Sequence, residues 1–208
     1  MPYVLGTDFE ACLKPFAGAL PFGEDPKGDS TFFDLRAEIQ KLTAHSSTQG
    51  GVDWKAVKAW SLEILSKRSK DLTTASYLSL ALFLTDGYRG LADGLAILTG
   101  LADEHWDGVF PPLARPRTRV TALEWLVARL SPLVADRAPA DDDQPAVAEI
   151  RDLVTRLQEV AQSRLMHEAP PFGELLSAVS ARIVSAQPAP APAPEPPPQA
   201  PQPSPGSE

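Results

Sequence analysis

The chain has 208 residues, 43% hydrophobic and 22% charged, which is ordinary usage for a folded domain and excludes disorder throughout. Its formal net charge of -8, with lysines and arginines scattered along the chain, excludes the positive footprint that nucleic acid or an anionic membrane surface requires. One cysteine, Cys12, excludes an intrachain disulfide framework and a multi-thiolate metal site, and fits a reducing compartment.

Met1 to Gly6 lacks a basic region followed by an apolar core, and no apolar run approaches the ~18 residues of a spanning helix. A soluble, cytoplasmic protein without membrane insertion is expected. Ser30 then reads as the cap of a first helix with Phe32, Leu35, Ile39 and Leu42 on its apolar face, and the Ser46 to Gly51 cluster breaks it. Asp53 caps a second helix, with Trp54, Val57, Ile64 and Leu65 on one side, ending near Ser69.

Asp71 caps a third helix, Leu72 to Thr85, apolar around most of its circumference through Leu72, Ala75, Leu78, Leu80, Leu82, Phe83 and Leu84. A helix without a wide polar face must be enclosed by others, so this one is central. Gly87 and Gly90 bracket the next turn. A fourth helix spaces Tyr88, Leu91, Leu95, Leu98, Ala102 and His105 by threes and fours and ends by Pro111-Pro112.

A fifth helix runs from about Thr118 to Leu133 with Val120, Leu123, Trp125, Leu126 and Leu130 as apolar mass. After the acidic loop Asp141 to Asp143, Pro145 suits the first turn of a sixth helix marked by Val147, Ile150, Val154, Leu157 and Ala161. A seventh, about Phe172 to Ala186, carries Leu175, Leu176, Val179 and Ile183. The expected architecture is an all-α bundle of about seven helices with short antiparallel connections, forming one domain over 1–186.

From Gln187 to Glu208 the chain is a Pro/Ala tract, expected to be a disordered linker or tail, because proline fixes φ and removes backbone donors. A PxxP ligand is the alternative reading, weakened by the absence of Arg and Lys flanks.

Chemistry finds little footing. His45, His105 and His167 lie far apart in sequence and form no helical pair, so neither a zinc site nor any cofactor is expected. Glu104, His105 and Asp107 around Trp106 are the one local group of mixed titratable residues. They read as a helix end with Trp106 packed inward, or alternatively as the acid/base group of a small hydrolase. Asp141, Asp142 and Asp143 resemble half a calcium loop, but the glycine and distal glutamate are missing. Gly87, Gly90 and Gly94 follow a helix, so they turn the chain and let helices approach closely; they do not cradle phosphate.

The Ser69-Lys70-Asp71-Leu72 corner has two readings: a tight structural turn with Asp71 as cap and Lys70 near the preceding helix's negative end, or part of a partner-binding surface. The order of motifs around it is informative. Pro21 to Pro26 comes first, then Asp53-Trp54, the corner, Gly90-Leu91, Gly94-Leu95, Trp106-Asp107, Pro111, Arg119, Ala122-Leu123 and Trp125-Leu126. The series resembles the ImpA-related amino-terminal domain of the TssA proteins of type VI secretion, over roughly Leu20 to Leu133. The helices at about 145–186 are accessory to that match.

That resemblance implies a non-catalytic, cytoplasmic interaction module of a contractile secretion machine, helping baseplate and sheath assemble. The implied partners are baseplate, sheath/tube or membrane-complex subunits. Members of the family carry a carboxyl-terminal ring-forming region; here the Pro/Ala tract stands where the connection to it would begin, so ring formation is expected to need a region absent from this chain. A cytoplasmic adaptor or chaperone for secreted cargo, with a hydrophobic groove, is a further alternative. An interaction module predicts an exposed aromatic patch involving Trp60 or Tyr77, which sit off the main apolar stripes.

Overall fold

The computed structural model describes residues 5–6, 9–43 and 51–183 of the chain. His45, the expected break over Ser46 to Gly51 (Gly51 apart), the last residues of the expected seventh helix and the Pro/Ala tract lie outside the described residues. The elements are α1 (Glu10–Leu13), α2 (Ser30–Gln40), α3 (Trp54–Lys67), α4 (Leu72–Glu104), α5 (Pro116–Asp136), α6 (Gln144–Leu165) and α7 (Gly173–Ser180). Short 3-10 turns accompany them, among them Pro26–Gly28, Asp141–Asp143 and Met166–Glu168. Among the described residues the only β pairing is two isolated bridges, and the fold is all-α as expected. No helix among them is long and apolar enough to cross a membrane.

The central element is a helical hairpin. α4 consists of two helical arms that meet at Gly87, whose φ of 72° and ψ of -149° are non-helical and suit a residue without a Cβ. The two arms, 72–86 and 88–104, are the expected third and fourth helices folded back on one another. A Cβ on Gly94 would sit 2.6 Å from the Ser79 Cα, and one on Gly90 would sit 2.5 Å from the Leu82 carbonyl oxygen. The arms can touch at this spacing only because glycine stands there.

Leu72, Ala75, Leu78, Leu80, Leu82 and Phe83 are buried, as the all-round apolar pattern predicts. The polar residues among them, Ser76 and Ser79, donate their hydroxyls to the carbonyls of Leu72 and Ala75, both at 2.8 Å, so burial leaves no hydroxyl unmatched there. α3, α5 and α6 pack around this hairpin and α7 lies on α5 and α6, sharing the main core through Val147, Ile150, Val154, Leu175 and Val179. A smaller core under α2 and α3 joins Phe32, Leu35, Ile39, Val57, Ile64 and Ala81.

Several boundaries differ from the sequence reading. Asp29, and not Ser30, caps α2, its carboxylate accepting from the Thr31 and Phe32 amides at 2.8 and 3.2 Å. That carboxylate also pairs with Arg68 at 2.6 Å, a tie from 39 residues away that favours the aspartate. α1 has no sequence signal, because four residues are too few to show a period. α5 extends beyond the expected span at both ends, opening on Pro116, whose missing N–H is harmless in a first turn.

Candidate functional site

The Ser69-to-Leu72 corner is threaded between two loops. The Lys70 amide donates to the Phe22 carbonyl at 2.9 Å, the Phe110 amide to the Lys70 carbonyl at 2.8 Å, and the Leu72 amide to the Phe110 carbonyl at 2.8 Å. With its backbone enclosed on both sides, the corner buries its charged side chains too: Lys70 is 0% and Asp71 2% exposed.

Lys70 Nζ donates to the Ala11 carbonyl at 2.6 Å and the Leu65 carbonyl at 2.7 Å, and lies 4.2 Å from the centre of the Phe16 ring. Leu65 is in the last turn of α3, where free carbonyls favour a cation. Burial pushes the Lys70 pKa down to about 8. The neighbouring Cys12 thiol, also fully buried, is pushed up to about 11 by burial, with the lysine charge pulling the other way. Asp71 accepts from the Thr74 amide at 2.7 Å and the Thr74 hydroxyl at 2.9 Å, capping α4, while burial lifts its carboxyl to about 6.

Arg119 makes a second clamp. Its side chain is 0% exposed, and its Nε, Nη1 and Nη2 donate to the carbonyls of Pro111, Trp106 and Val109, each at 2.6 Å. It thereby holds the whole turn from Trp106 to Pro111, which contains a cis peptide at Phe110-Pro111. Burial lowers the Arg119 pKa, with the carboxylates of Asp107 and Asp71 acting in the opposite direction.

Of the motif residues, the structure thus brings Ser69, Lys70, Asp71, Leu72, Trp106, Pro111 and Arg119 together at one end of the hairpin, all buried. A buried corner is not available to a partner, so the surface reading of these four residues does not fit their positions. Asp107 is exposed beside them. Asp53 and Trp54 lie at the start of α3, where Asp53 caps through the Lys55 and Ala56 amides, both at 3.1 Å. Gly90 and Leu91 sit within the second arm of α4.

The surface feature at which the sequence only hints is an aromatic groove. Tyr77 on α4 and Trp125 on α5 meet edge to face, ring centres 4.8 Å apart at 76°. They line a cavity of about 280 Å³ with Phe32, Arg36 and Thr121. Both rings are half-buried, as is Trp60, which packs against the smaller core. The helical pattern alone assigns Trp125 only to core mass.

The hydrolase group does not assemble. His105 Nε2 lies 3.9 Å from Glu104, but its ring packs on Phe22 at 5.4 Å, and Asp107 forms no ion pair with it among the described residues. Asp141 to Asp143 form a 3-10 turn, with the Asp143 carboxylate accepting from the Ala140 amide at 3.1 Å. Among the described residues no cluster of His, Cys, Asp and Glu could hold a metal ion.

The geometry defines a helical scaffold domain whose interior charges are committed to its own backbone. The model of a family described as "ImpA, N-terminal, type VI secretion system" matches residues 13–128, and the chain belongs to that family. It is 33% identical over 148 residues to the type VI secretion system component TssA1 of Pseudomonas aeruginosa, an alignment covering 63% of this chain and 43% of that protein. The chain therefore spans less than half the length of this curated relative. Its fold matches the solved N-terminal domain, including the conserved ImpA_N region, of the TssA component from Burkholderia cenocepacia. That superposition has a TM-score of 0.66 at 21% identity and covers 83% of this chain and 89% of the other.

Proposed function

We propose that this chain is a non-catalytic, cytoplasmic interaction module that helps a type VI secretion baseplate and sheath assemble. The observation that supports the reading is the fate of the motif residues. Lys70 and Arg119 donate to internal carbonyls and Asp71 accepts from the amide and hydroxyl of Thr74, so these charged groups build the body of the domain and its contacts fall to the outer faces. Of the Glu104, His105 and Asp107 group that the hydrolase reading uses, Glu104 lies 3.9 Å from His105 and Asp107 forms no ion pair with it among the described residues.

The test is co-purification of the tagged chain with separately purified baseplate, sheath, tube and membrane-complex subunits of the same system, alone and fused to a ring-forming region. Capture of one of these subunits supports the module. Failure of both forms to capture any of them overturns it. His105→Ala is expected to leave capture unchanged.

A further inference from the structure

The groove between α4 and α5 has chemistry that the packing of the domain leaves unused. The hydroxyl of Tyr77 and the indole N–H of Trp125 donate no hydrogen bond to another described residue. Two cations line the groove, Lys27 and Arg36, and neither forms an ion pair among the described residues. Two rings set at 76°, donors that no other described residue takes up and a positive rim are the features by which proteins bind polyproline II segments. Such segments present every carbonyl unpaired and lose little entropy on docking, because they are already extended.

The same chain supplies such a segment. Beyond Arg182 it carries Pro194-Glu195-Pro196-Pro197-Pro198 within the Pro/Ala tract, and its charges there are Glu195 and Glu208, with no Lys or Arg. The missing basic flanks argue against an ordinary groove-binding ligand, but here the signs are exchanged: the groove holds the cations and the tract the carboxylate. We propose that the segment around Pro194 to Pro198 docks in cis across Tyr77 and Trp125, with Glu195 against Lys27 and Arg36.

The geometry of the chain permits it. Arg182 donates Nε to the Val134 carbonyl at 3.1 Å, so the tract departs from the carboxyl end of α5. From Val134 back to Trp125 that helix covers about 14 Å at ~1.5 Å per residue. From Ile183 to Pro194 an extended chain covers about 34 Å at ~3.1 Å per residue, which leaves slack for the path around the helix. Docking in cis would cover the Tyr77 and Trp125 rings.

Trp125 gives the readout. In the full chain labelled with 15N at its four tryptophans, the Trp125 indole signal is assigned with Trp125→Phe. Replacing Glu195 by Lys together with Pro196 and Pro197 by Ser cannot disturb the helical fold described above, since these positions lie outside it. The expected result is a shift of the Trp125 indole, with the buried Trp106 indole unmoved and the signal independent of protein concentration. Adding Arg36→Glu and Lys27→Glu to Glu195→Lys alone should return the signal toward its original position. Superimposable spectra for the tract variant and the unaltered chain would overturn the proposal. A concentration-dependent position would place the tract in a second copy and overturn docking in cis. Purified chain suffices, so the outcome is independent of whether secretion subunits bind.

Discussion

Arg119 stacks its guanidinium 4.6 Å over the indole of Trp106 while donating to the carbonyl of that same residue at 2.6 Å. One side chain therefore fixes both the ring and the backbone of a residue in the turn that follows the hairpin. Lysine could not substitute, because a single ammonium cannot reach three divergent carbonyls or stack as a plane. Arg119→Lys is expected to lower the urea unfolding free energy by about 3 kcal/mol, mostly from carbonyls left buried and unpaired. A loss below about 1 kcal/mol would show that water can replace the fork.

Asp71 makes stability depend on acidity in an unusual direction. Its carboxyl titrates near 6 in the fold against 3.8 as a free side chain, so the folded state holds the proton more tightly. The burden of burying the charge is full above about pH 6, shrinks as pH falls through that value and is gone near 3.8. Asp71→Asn keeps the cap and removes the titration. The stability of the natural chain relative to this variant should therefore fall by about 2 kcal/mol between pH 4 and pH 7. Lys70, pushed down to about 8, stays charged throughout that window and does not confuse the comparison. A difference that is flat with pH, measured by urea titration, would refute the shift.

The cap of α2 separates two adjacent polar residues. Asp29 receives two amides and pairs with Arg68, whereas Ser30 is exposed and lies inside the helix. Asp29→Ala should lower stability by about 1 kcal/mol and Ser30→Ala should change it little. Equal effects in thermal unfolding would return the cap to Ser30.

Two glycines in helices should respond differently to the same change. Gly94→Ala pushes a methyl into the Ser79 backbone and should destabilise by about 2 kcal/mol, since neither arm can retreat without opening the hairpin. Gly173, at the start of α7, has open space where a methyl would go, with no other group within 4 Å, so Gly173→Ala should be neutral or slightly stabilising. Melting temperatures of the two variants check the pair; a tolerated Gly94→Ala would mean the arms are not in contact in solution.

What can be read from the residues is what is local. Asp53 and Asp71 announce themselves as caps, and the three-and-four spacing of Leu91, Leu95 and Leu98 announces a buried face. The glycine series at 87, 90 and 94 even foretells the close turn of the hairpin. The acceptors of Lys70 and Arg119 cannot be foretold, because they are backbone carbonyls, which every residue has. Charged residues are seldom fully buried, so a lysine at a corner between helices reads as open to solvent. The Tyr77 and Trp125 contact joins residues from different helices, and no periodicity within one helix reports it.

The Lys70 contact to Ala11 has a consequence for where this unit can be cut. The family match opens at residue 13, just past the carbonyl that holds the ammonium, and closes at 128, inside a helix that continues to Asp136. A fragment trimmed to those limits would keep the recognisable pattern and lose one of the two carbonyls that hold the lysine, the end of α5, and α6 and α7 altogether. The span of the family match is thus shorter than the helical unit that encloses the hairpin.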